Sequence, residues 1–360
     1  MSSPGSIPGR RRRAPVPFLA IVLALAVLAG AAGVVALVLD GSEEPATPTP
    51  GTGRTIALPA ASPTPGDDPV HDGAEPTKRT IVIQAAGDVN LDPTYVSGLA
   101  RHGYRYAWSG LDGVFRDDDL SIVNLECAVS DLGSPRPKEF VFRGDVDAIP
   151  AMRRAGIEVA NLGNNHSLDY GVEAMLDARR RLTEHRIAPV GAGRDARQAN
   201  DFARFELRGW KVAVLGFGGV YSAITDFATA RRPGFANGDA IGSMERAVRR
   251  ADRWADLVVV MIHWGVELDT QPRPEDVRRA EAIVHAGADV IFGGHAHRLQ
   301  PLERIEGAPV FYSLGNFVWP NSSVEGSTTG VARVVVRPSG RIRARLLPAF
   351  IEDSGHPVLR

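Results

Sequence analysis

The sequence predicts a protein of mixed α/β class whose folded part extends from about residue 79 to residue 352. From Arg79 onward, short apolar runs rich in β-formers alternate with stretches of helical spacing. This alternation is typical of α/β domains. Two further pairs of runs are joined by glycine-containing turns, at Arg208-Gly209 and Ser339-Gly340, and are predicted to be hairpins. The hairpins favour a mixed sheet, or two packed sheets with helices outside.

Local patterns define the elements of the first half. Buried strands are predicted for TIVIQAAGDV (80–89), LSIVNLE (120–126), EVANLGNNH (158–166) and IAPVGAG (187–193). Helices are predicted for DVDAIPAMRRAGI (145–157), with Asp145 or Asp147 as the capping residue, and for VEAMLDARRRLTEHR (172–186).

The second half continues the same alternation. The hairpin FARFELRGWKVAVLGFGG (202–219) precedes a helix in GSMERAVRRADRWA (242–255) and a strongly apolar strand in DLVVVMIHWG (256–265). A helix in PEDVRRAEAIVHAGA (274–288) leads into the strand DVIFGGHAH (289–297). APVFYSLGNFVW (308–319) is predicted to be one strand, and the second hairpin occupies 330–352.

The N-terminal segment predicts a membrane anchor. Residues 1–17 are basic, with four arginines at 10–13, and Phe18–Leu39 is an uncharged apolar run. About 20 such residues span a bilayer as a helix, and the positive-inside rule keeps this N-terminus cytoplasmic and the rest of the chain outside. The alternative is a cleaved signal peptide with secretion, but the run is longer than a usual signal h-region.

Residues 40–78 are rich in Pro, Thr, Ser and Gly and are predicted to be a disordered tether. Residues 353–360 are predicted to be a tail. The formal net charge of −1 excludes the basic excess that nucleic-acid binding requires. Cys127 is the single cysteine, so no intrachain disulfide forms, and we interpret it as a small core residue.

Polar side chains with metal-binding or catalytic potential gather at the carboxyl ends of the predicted strands. They are Asp88, Asn90, Glu126, Asn164, Asn165, His166, His263, His295 and His297. Open α/β sheets bind ligands at strand carboxyl ends. Imidazole, carboxylate and amide groups together suit transition-metal ions.

Each of these signals also has an ordinary structural interpretation. A lone histidine such as His263 at the end of an apolar strand is more often a hydrogen-bonded core residue. Asp169 suits the cap of the following helix, and Trp264 and Glu267 suit the rim of a site. Lys138 lies in a loop that either faces substrate or is solvated. Five strand ends with polar groups in one order are harder to attribute to chance.

The motifs Gly87-Asp88, Asn124-Leu125-Glu126, Gly163-Asn164-Asn165-His166, His263-Trp264-Gly265-x-Glu267, Gly294-His295-Ala296-His297 and Ser313-Leu314-Gly315-Asn316-Phe317 resemble the CapA family of poly-γ-glutamate capsule proteins. That family belongs to the metallophosphoesterase-like superfamily. The resemblance covers about Arg79 to Ile351 and implies a four-layer α/β/β/α sandwich with a centre of two divalent metal ions, Mn, Fe or Zn.

The resemblance also implies roles for individual residues. Asp88 and His297 would bind the first metal, Glu126 would bridge, and Asn165, His263 and His295 would bind the second. His166 would be the catalytic imidazole, while Asn90, Asn164 and Glu267 would support the ligands. The superfamily's usual Asp-x-His is Asp88-Val89-Asn90 here, and Glu126 replaces an aspartate, so a mononuclear site is the alternative.

Two functions therefore follow from the resemblance. The first is a metal-dependent, phosphoesterase-like hydrolase in capsule or envelope polymer biosynthesis. The second is a non-catalytic scaffold that binds an anionic polymer such as poly-γ-glutamate and works with capsule synthesis or export proteins. Amide hydrolysis or transfer on a γ-glutamyl polymer is compatible with the same metals.

Overall fold

A computed structural model describes residues 77–360. The predicted N-terminus (1–17), membrane span (18–39) and nearly all of the predicted tether (40–78) lie outside the described residues. Within residues 77–360, no helix combines the length and the apolar composition that a membrane crossing needs.

Strands dominate the described chain. In chain order they are β1 (Ile81–Val89), β2 (Leu120–Leu125), β3 (Ala128–Val129), β4 (Arg143–Gly144), β5 (Val159–Asn161), β6 (Ala188–Val190), β7 (Ala192–Gly193), β8 (Ala203–Leu207), β9 (Trp210–Gly218), β10 (Gly234–Phe235), β11 (Leu257–His263), β12 (Val290–Gly294), β13 (Leu302–Ile305), β14 (Ala308–Phe311), β15 (Asn316–Val318), β16 (Thr328–Val336), β17 (Ile342–Asp353) and β18 (His356–Leu359).

The α-helices are α1 (Ser97–His102), α2 (Ala148–Ala155), α3 (Gly171–Glu184), α4 (Ala196–Ala199), α5 (Ile241–Asp252), α6 (Pro274–His285) and α7 (Val324–Ser327). Two 3₁₀ helices span Tyr106–Leu111 and Ile224–Asp226. Helix α2 begins after Asp147, but no side chain caps it. The predicted capping role of Asp147 is therefore wrong. Asp145 lies in the turn that leads into α2, where its Oδ1 accepts a hydrogen bond from the Asp147 amide and its Oδ2 accepts one from the Tyr104 hydroxyl.

The strands form two large mixed sheets. The larger has the order β18-β17-β16-β1-β2-β5-β6, with β15 also paired to β1. The smaller has the order β13-β14-β12-β11-β9-β8. Strands β1, β2, β5 and β6 run parallel, as do β9, β11, β12 and β14. Both predicted hairpins are present, as β8–β9 and β16–β17.

Buried apolar side chains form three hydrophobic clusters. One cluster lies between the sheets and includes Ile83 and Ile122 from the larger sheet and Val259 and Phe292 from the smaller. A second cluster packs α2 and α3 against the outer face of the larger sheet. A third packs α5 and α6 against the smaller sheet. The mixed α/β class predicted from the sequence is confirmed, with the helices outside two packed sheets.

Two predicted boundaries differ from the structure. The segment 308–319 is not one strand, because β14 joins the smaller sheet whereas β15 joins the larger. The chain crosses between the sheets at 312–315, where Gly315 has a φ of 66°. A continuous apolar run does not reveal such a crossing. The predicted tail 353–360 contains β18, which pairs with β17 at the edge of the larger sheet.

Candidate metal centre

The two sheets bring their strand ends together at one place. Asp88 lies near the end of β1 in the larger sheet, and His263 ends β11 in the smaller sheet. The Asp88 Oδ1 and His263 Nδ1 atoms are 3.9 Å apart, and neither side chain is exposed. Residues separated by 175 positions along the chain therefore share one buried site.

Asp88 is held by donors from both sheets. Its Oδ1 accepts a hydrogen bond from Asn124 Nδ2 at 2.8 Å, and its Oδ2 accepts one from the His295 backbone amide at 3.1 Å. Gly294 makes this approach possible, since a Cβ atom there would lie 2.5 Å from Asp88 Oδ1. The His297 Nδ1 atom is 3.3 Å from Asp88 Oδ2. In this orientation the Asp88 carboxylate can bind a cation while it keeps its contacts with His295 and His297.

Glu126 is the most unusual group of the site. Its side chain is fully buried, and neither carboxylate oxygen has a hydrogen-bond partner within the described residues. Burial raises the pKa of this carboxyl well above its ordinary value, and the nearby Asp88 carboxylate raises it further. An unpaired buried carboxylate is costly. A bound cation would remove this cost by supplying the missing partner.

Three histidines surround these carboxylates. His263 Nε2 is 2.7 Å from Asn165 Oδ1 and 3.3 Å from Glu126 Oε1. His295 is buried, its Nδ1 has no partner among the described residues, and burial lowers its pKa to about 3. Burial also lowers the pKa of His263 well below its ordinary value. Neutral imidazole is the form that binds metal ions.

The backbone of the His295–His297 segment is strained. Both histidines have positive φ angles, of 89° and 52° respectively. This conformation is uncommon for residues with a side chain and is found most often at functional sites. It allows both imidazoles, two residues apart, to turn toward the carboxylates. The His297 Nδ1 atom also lies 2.8 Å from Asn316 Oδ1, which orients the ring.

Three groups of side chains bring ligand atoms within 4.8 Å of one another. Two of these groups share Glu126. One contains Asp88, Glu126 and His297, and the other contains Glu126, His263 and His295. The third joins the exposed Glu267 to His295 and His297. The unpartnered Glu126 oxygens and His295 nitrogen show that this donor set fits a divalent cation, and the shared glutamate fits a bridging position.

An amide network beneath the site was not predicted. Asn124 Oδ1 accepts hydrogen bonds from Asn161 Nδ2 and Asn164 Nδ2. Asn164 Oδ1 in turn accepts from the His166 backbone amide. Asn124 thus connects Asp88 to the loop that carries Asn165 and His166. The sequence signals are the Asn124-Leu125-Glu126 motif and the amide-rich Asn161–Asn165 segment, but the contacts between them cannot be inferred from either.

Asn90 and Glu267 hold different positions around the site. Asn90 is buried, and its Oδ1 accepts from the Asp92 amide within a local turn. Its Nδ2 is buried without a partner among the described residues. Glu267 is exposed at the rim, as predicted. Trp264 is not a rim residue, because it is buried in the smaller sheet's core and donates to the Tyr312 carbonyl.

His166 belongs to a polar triad that sequence reasoning missed. Its Nδ1 is 2.7 Å from Asp169 Oδ2, and Asp169 Oδ1 is 2.5 Å from Lys138 Nζ. Asp169 is therefore not a helix cap; helix α3 follows Tyr170 without a capping side chain. Lys138 is largely buried and also donates to the Asn165 carbonyl. Burial lowers the pKa of His166, while the hydrogen bond with Asp169 opposes this effect.

The site opens through an aromatic cleft of about 210 Å³. Phe142 stacks on His166 with ring centres 4.3 Å apart, and Trp319 lies 4.5 Å from His297. Tyr95 contacts both Phe142 and Trp319. The cleft thus leads from solvent to the imidazoles between aromatic walls, which restrict the shape of whatever enters.

Fold and site together define a mixed α/β protein with a buried carboxylate–imidazole centre suited to divalent cations. A family profile described as "Bacterial capsule synthesis protein PGA_cap" matches residues 82–321. The chain belongs to this family, and the family predicted from the sequence motifs is confirmed.

Individual relatives agree with the family. The chain is 32% identical over 286 residues to the "Capsule biosynthesis protein CapA" of Bacillus anthracis, covering 77% of this chain and 69% of that protein. It is 30% identical over 271 residues to the "PGA biosynthesis protein CapA" of Bacillus subtilis (strain 168), covering 74% and 71%. Among solved structures, a 5'-nucleotidase from Candida albicans matches 76% of this chain and 52% of its own, with a TM-score of 0.43 and 15% identity.

Proposed function

We propose that this protein is a metal-dependent hydrolase that acts in the biosynthesis of a capsule polymer, with poly-γ-glutamate as its partner polymer. Membership of the capsule synthesis family supports the polymer. The names of the two Bacillus relatives support it further. The hydrolase activity rests on the site. Phosphoesters are the substrate class that the metallophosphoesterase-like motifs favour.

One observation carries the proposal. Glu126 is a fully buried carboxylate with no partner among the described residues, next to a second buried carboxylate, Asp88, and three imidazoles. A structural cluster would pair such groups with arginine, lysine or hydroxyl donors. Here the carboxylate oxygens and imidazole nitrogens face one another instead. A bound cation would supply the partner that these atoms lack.

The residues divide into two sets around Glu126. Asp88 and His297 would hold one divalent ion, and Asn165, His263 and His295 a second, with Glu126 between them. When bound, such ions act as Lewis acids that neutralise developing negative charge and lower the pKa of water. Glu267, at the rim, is placed to contribute to the same centre from the solvent side.

His166 is the residue placed for proton transfer. Since its Nδ1 is engaged by Asp169, Nε2 is the nitrogen available to a molecule in the cleft, which His166 lines. Asp169 fixes the orientation of the ring, and Lys138 fixes Asp169. A proton at Nε2 would be delivered to the leaving oxygen, as expected of a positioned general acid. The stacked Phe142 holds the ring plane.

We place the folded domain outside the cytoplasm, on a tether of residues 40–78 that follows a single membrane span at 18–39. The basic block at 10–13 and the uncharged run that follows support this arrangement. A cleaved and secreted form is the alternative. Protease protection of tagged protein in intact cells would distinguish the anchored form from the secreted one.

The test is hydrolysis of bis-p-nitrophenyl phosphate by the full-length protein in neutral detergent with Mn²⁺, together with metal analysis. We expect bound metal and turnover in the wild type, and loss of both in a His263→Ala, His295→Ala double variant. Exposed His185→Ala, on the surface at the end of α3, is the matched control. Stoichiometric metal without turnover of any phosphoester would contradict the hydrolase.

A second candidate is a non-catalytic scaffold that binds polymer carboxylates through the metal. The position of Asn90 favours it, because an amide replaces the imidazole expected beside Asp88 and is held in a turn by Asp92. Metal binding and polymer binding without hydrolysis of phosphoesters, or of γ-glutamyl amides, would support the scaffold over the enzyme.

A further inference from the structure

The β16–β17 hairpin carries a ladder of arginines on one face. Strand register pairs Arg333 with Arg345 and Val335 with Arg343. Arg337 and Arg341 face each other across the turn, where the Arg337 amide donates to the Arg341 carbonyl. Because side chains alternate between the faces of a strand, all six positions lie on the same face. Five of the six are arginine.

The opposite face of the same hairpin is apolar. Val334 and Val336 are buried in the cluster between the two sheets, and Ile342 and Ala344 pack against it. The burial of this face fixes the register of the hairpin. The arginine ladder is thus held rigidly on the outer surface, where Arg343 and Arg345 are exposed and Arg333 is half-buried.

The described part of the chain supplies the ladder with no counter-charge. Within residues 77–360, none of the five arginines has a carboxylate oxygen within 4.0 Å, and none donates a side-chain hydrogen bond to the protein. Like charges directly opposite each other on paired strands are destabilising. The formal net charge of the chain is −1, so the ladder is a local concentration of positive charge rather than part of a basic protein.

A depression of about 440 Å³ runs along this ladder. Arg333, Arg343 and Arg345 line it together with Arg304 from β13 of the smaller sheet. The Arg304 guanidinium donates hydrogen bonds to the carbonyls of Gly307 and Ile342, which places it at the start of β17, away from the part of β17 that pairs with β18. The cations therefore border a concave surface on more than one side.

We infer that this arginine ladder is a binding surface for a linear polycarboxylate. Guanidinium forks match carboxylates in a bidentate manner, and rungs two residues apart repeat at roughly 6.6–6.8 Å. An extended chain with carboxylates at regular intervals can contact several rungs at once. The identity of the polymer as poly-γ-glutamate rests on the proposed function, whereas the position and charge of the surface do not.

A polymer fits the surface better than an anionic membrane does. Arg333, Arg343 and Arg345 line one depression of about 440 Å³, which an extended chain can follow along its length. In addition, none of the large apolar side chains exposed among the described residues lies on the hairpin, so this surface offers no group for insertion into lipid.

The ladder is separate from the metal centre. Arg333 pairs with Gln84 of β1, four residues before Asp88, and Arg337, Arg341 and Arg343 lie further along the same direction. At about 3.3 Å per residue the separation is roughly 13 Å or more. Substitutions in the ladder should therefore leave hydrolysis of a small phosphoester unchanged.

The experiment measures binding of a fluorescent poly-γ-glutamate oligomer to the full-length protein in neutral detergent at low salt, by anisotropy. We expect an R333Q/R343Q/R345Q variant to lose about tenfold or more in affinity, since charge-assisted contacts are removed. The matched control R197Q/R231Q/R246Q removes three exposed arginines that also lack a carboxylate within 4.0 Å among the described residues. It should lose about twofold or less.

Further variants and ligands distinguish carboxylate binding from nonspecific charge effects and from lipid binding. An R333K/R343K/R345K variant should bind more tightly than the glutamine variant but less tightly than the wild type, because lysine keeps the charge and loses the bidentate fork. An oligomer with amidated carboxylates should not bind. Thermal unfolding should show the glutamine variant to be at least as stable as the wild type, because repulsion is relieved. Equal losses in both glutamine variants, wild-type affinity in the ladder variant, or binding to phosphatidylglycerol vesicles alone would overturn the inference.

The outcome is independent of the hydrolase. Ladder-dependent binding without phosphoester turnover would leave this surface established and the enzyme wrong. Turnover of the phosphoester without any binding of the oligomer by the wild type would overturn the proposed binding surface and leave the hydrolase proposal standing.

Discussion

Glu126 Oε1 lies 3.3 Å from His263 Nε2, and neither side chain is exposed to solvent. The glutamate follows β2 of one sheet, and the histidine ends β11 of the other. Neither Glu126 oxygen has a hydrogen-bond partner among the described residues, and His263 Nε2 lies closer to Asn165 Oδ1, at 2.7 Å. The packing of the two sheets thus holds a carboxylate at the centre of the site without a protein partner.

This geometry predicts the effect of Glu126→Gln on metal-linked stability. With Mn²⁺ at 100 times its dissociation constant, binding should raise the free energy of unfolding of the wild type by about 2.7 kcal/mol. The variant should gain less than about half of that, because it loses the shared anionic ligand. Urea denaturation with and without EDTA measures both values.

The metal-free forms provide the second comparison for Glu126. Without metal, the glutamine variant should be at least as stable as the wild type, since it removes a carboxyl whose ionisation is opposed by burial. Glu206→Gln, an exposed position on β8, is the control and should change neither value. Full metal stabilisation of Glu126→Gln would refute a cation at this carboxylate.

A different carboxyl predicts a pH dependence of stability. Burial raises the pKa of Asp118 to about 7, although hydrogen bonds from Ser121 and Gln84 oppose the shift. The unfolded value is about 3.9. The folded state therefore favours the protonated form, and this contribution is fully present below about pH 4 and is lost as pH rises through 7.

Asp118→Asn should remove this dependence. Relative to the wild type, the variant should become more stable by about 1–2 kcal/mol as pH rises from 4.5 to 8, a value reduced for partial solvent screening. Urea denaturation of the metal-free proteins across this range gives the difference. Asp117→Asn, at the exposed neighbouring position, is the control. A difference that stays constant with pH would contradict the prediction.

Some of this molecule could be predicted from the sequence because the signals are local. The buried strands β1, β2, β11 and β12 are apolar runs, and polar residues at their ends mark one edge of each sheet. The strand ends therefore identify Asp88, Glu126 and His295 as candidate ligands from the sequence alone. The hairpins were equally accessible, since a glycine turn between two β-type runs is a short-range signal.

Other features depend on contacts between segments that the sequence does not connect. Aspartate is a residue type that often caps helices, and Asp169 precedes α3. In the structure, however, its carboxylate oxygens contact Lys138 and His166 instead of the helix. Asn124 is one polar residue within an apolar strand, and its role emerges only when β2 lies beside β1 and β11. The crossing between sheets at 312–315 lies within an apolar run. Strands of both sheets are buried and apolar, so the sequence does not change character where the chain passes from one sheet to the other.

Gly87 tests how closely β1 and that crossing are packed. A methyl group at residue 87 would collide with the Gly315 carbonyl oxygen, which is backbone and cannot rotate away. Gly87→Ala should therefore destabilise the protein by about 1–3 kcal/mol or more and weaken metal binding, because Asp88 is the next residue. Denaturant unfolding and metal titration measure the two effects.

The control for Gly87 is Gly242→Ala in α5, where the added methyl meets only the end of the Arg246 side chain at 3.4 Å. Alanine is favoured over glycine within a helix, so this variant should gain about 0.5–1 kcal/mol. Unchanged stability of Gly87→Ala would show that β1 and the crossing segment 312–315 can move apart without cost.

Asp169 offers the test of proton transfer at His166. Asp169→Asn keeps the size of the side chain but removes the charge that orients the imidazole, so turnover should fall by about 10²–10⁴-fold. Bound metal should be unchanged, since Asp169 is not among the converging ligands. His166→Ala should cost a similar factor, and the double variant should cost little more than either, as expected of residues that act as a unit. Lys138→Gln leaves the Asp169–His166 hydrogen bond in place and should lower turnover less than Asp169→Asn does. It should destabilise the protein by about 3–5 kcal/mol, because it leaves the buried Asp169 carboxylate without its cation. If the fold losses in turnover of the two single variants instead multiply in the double variant, Asp169 has a purely structural role in holding the Phe142 amide.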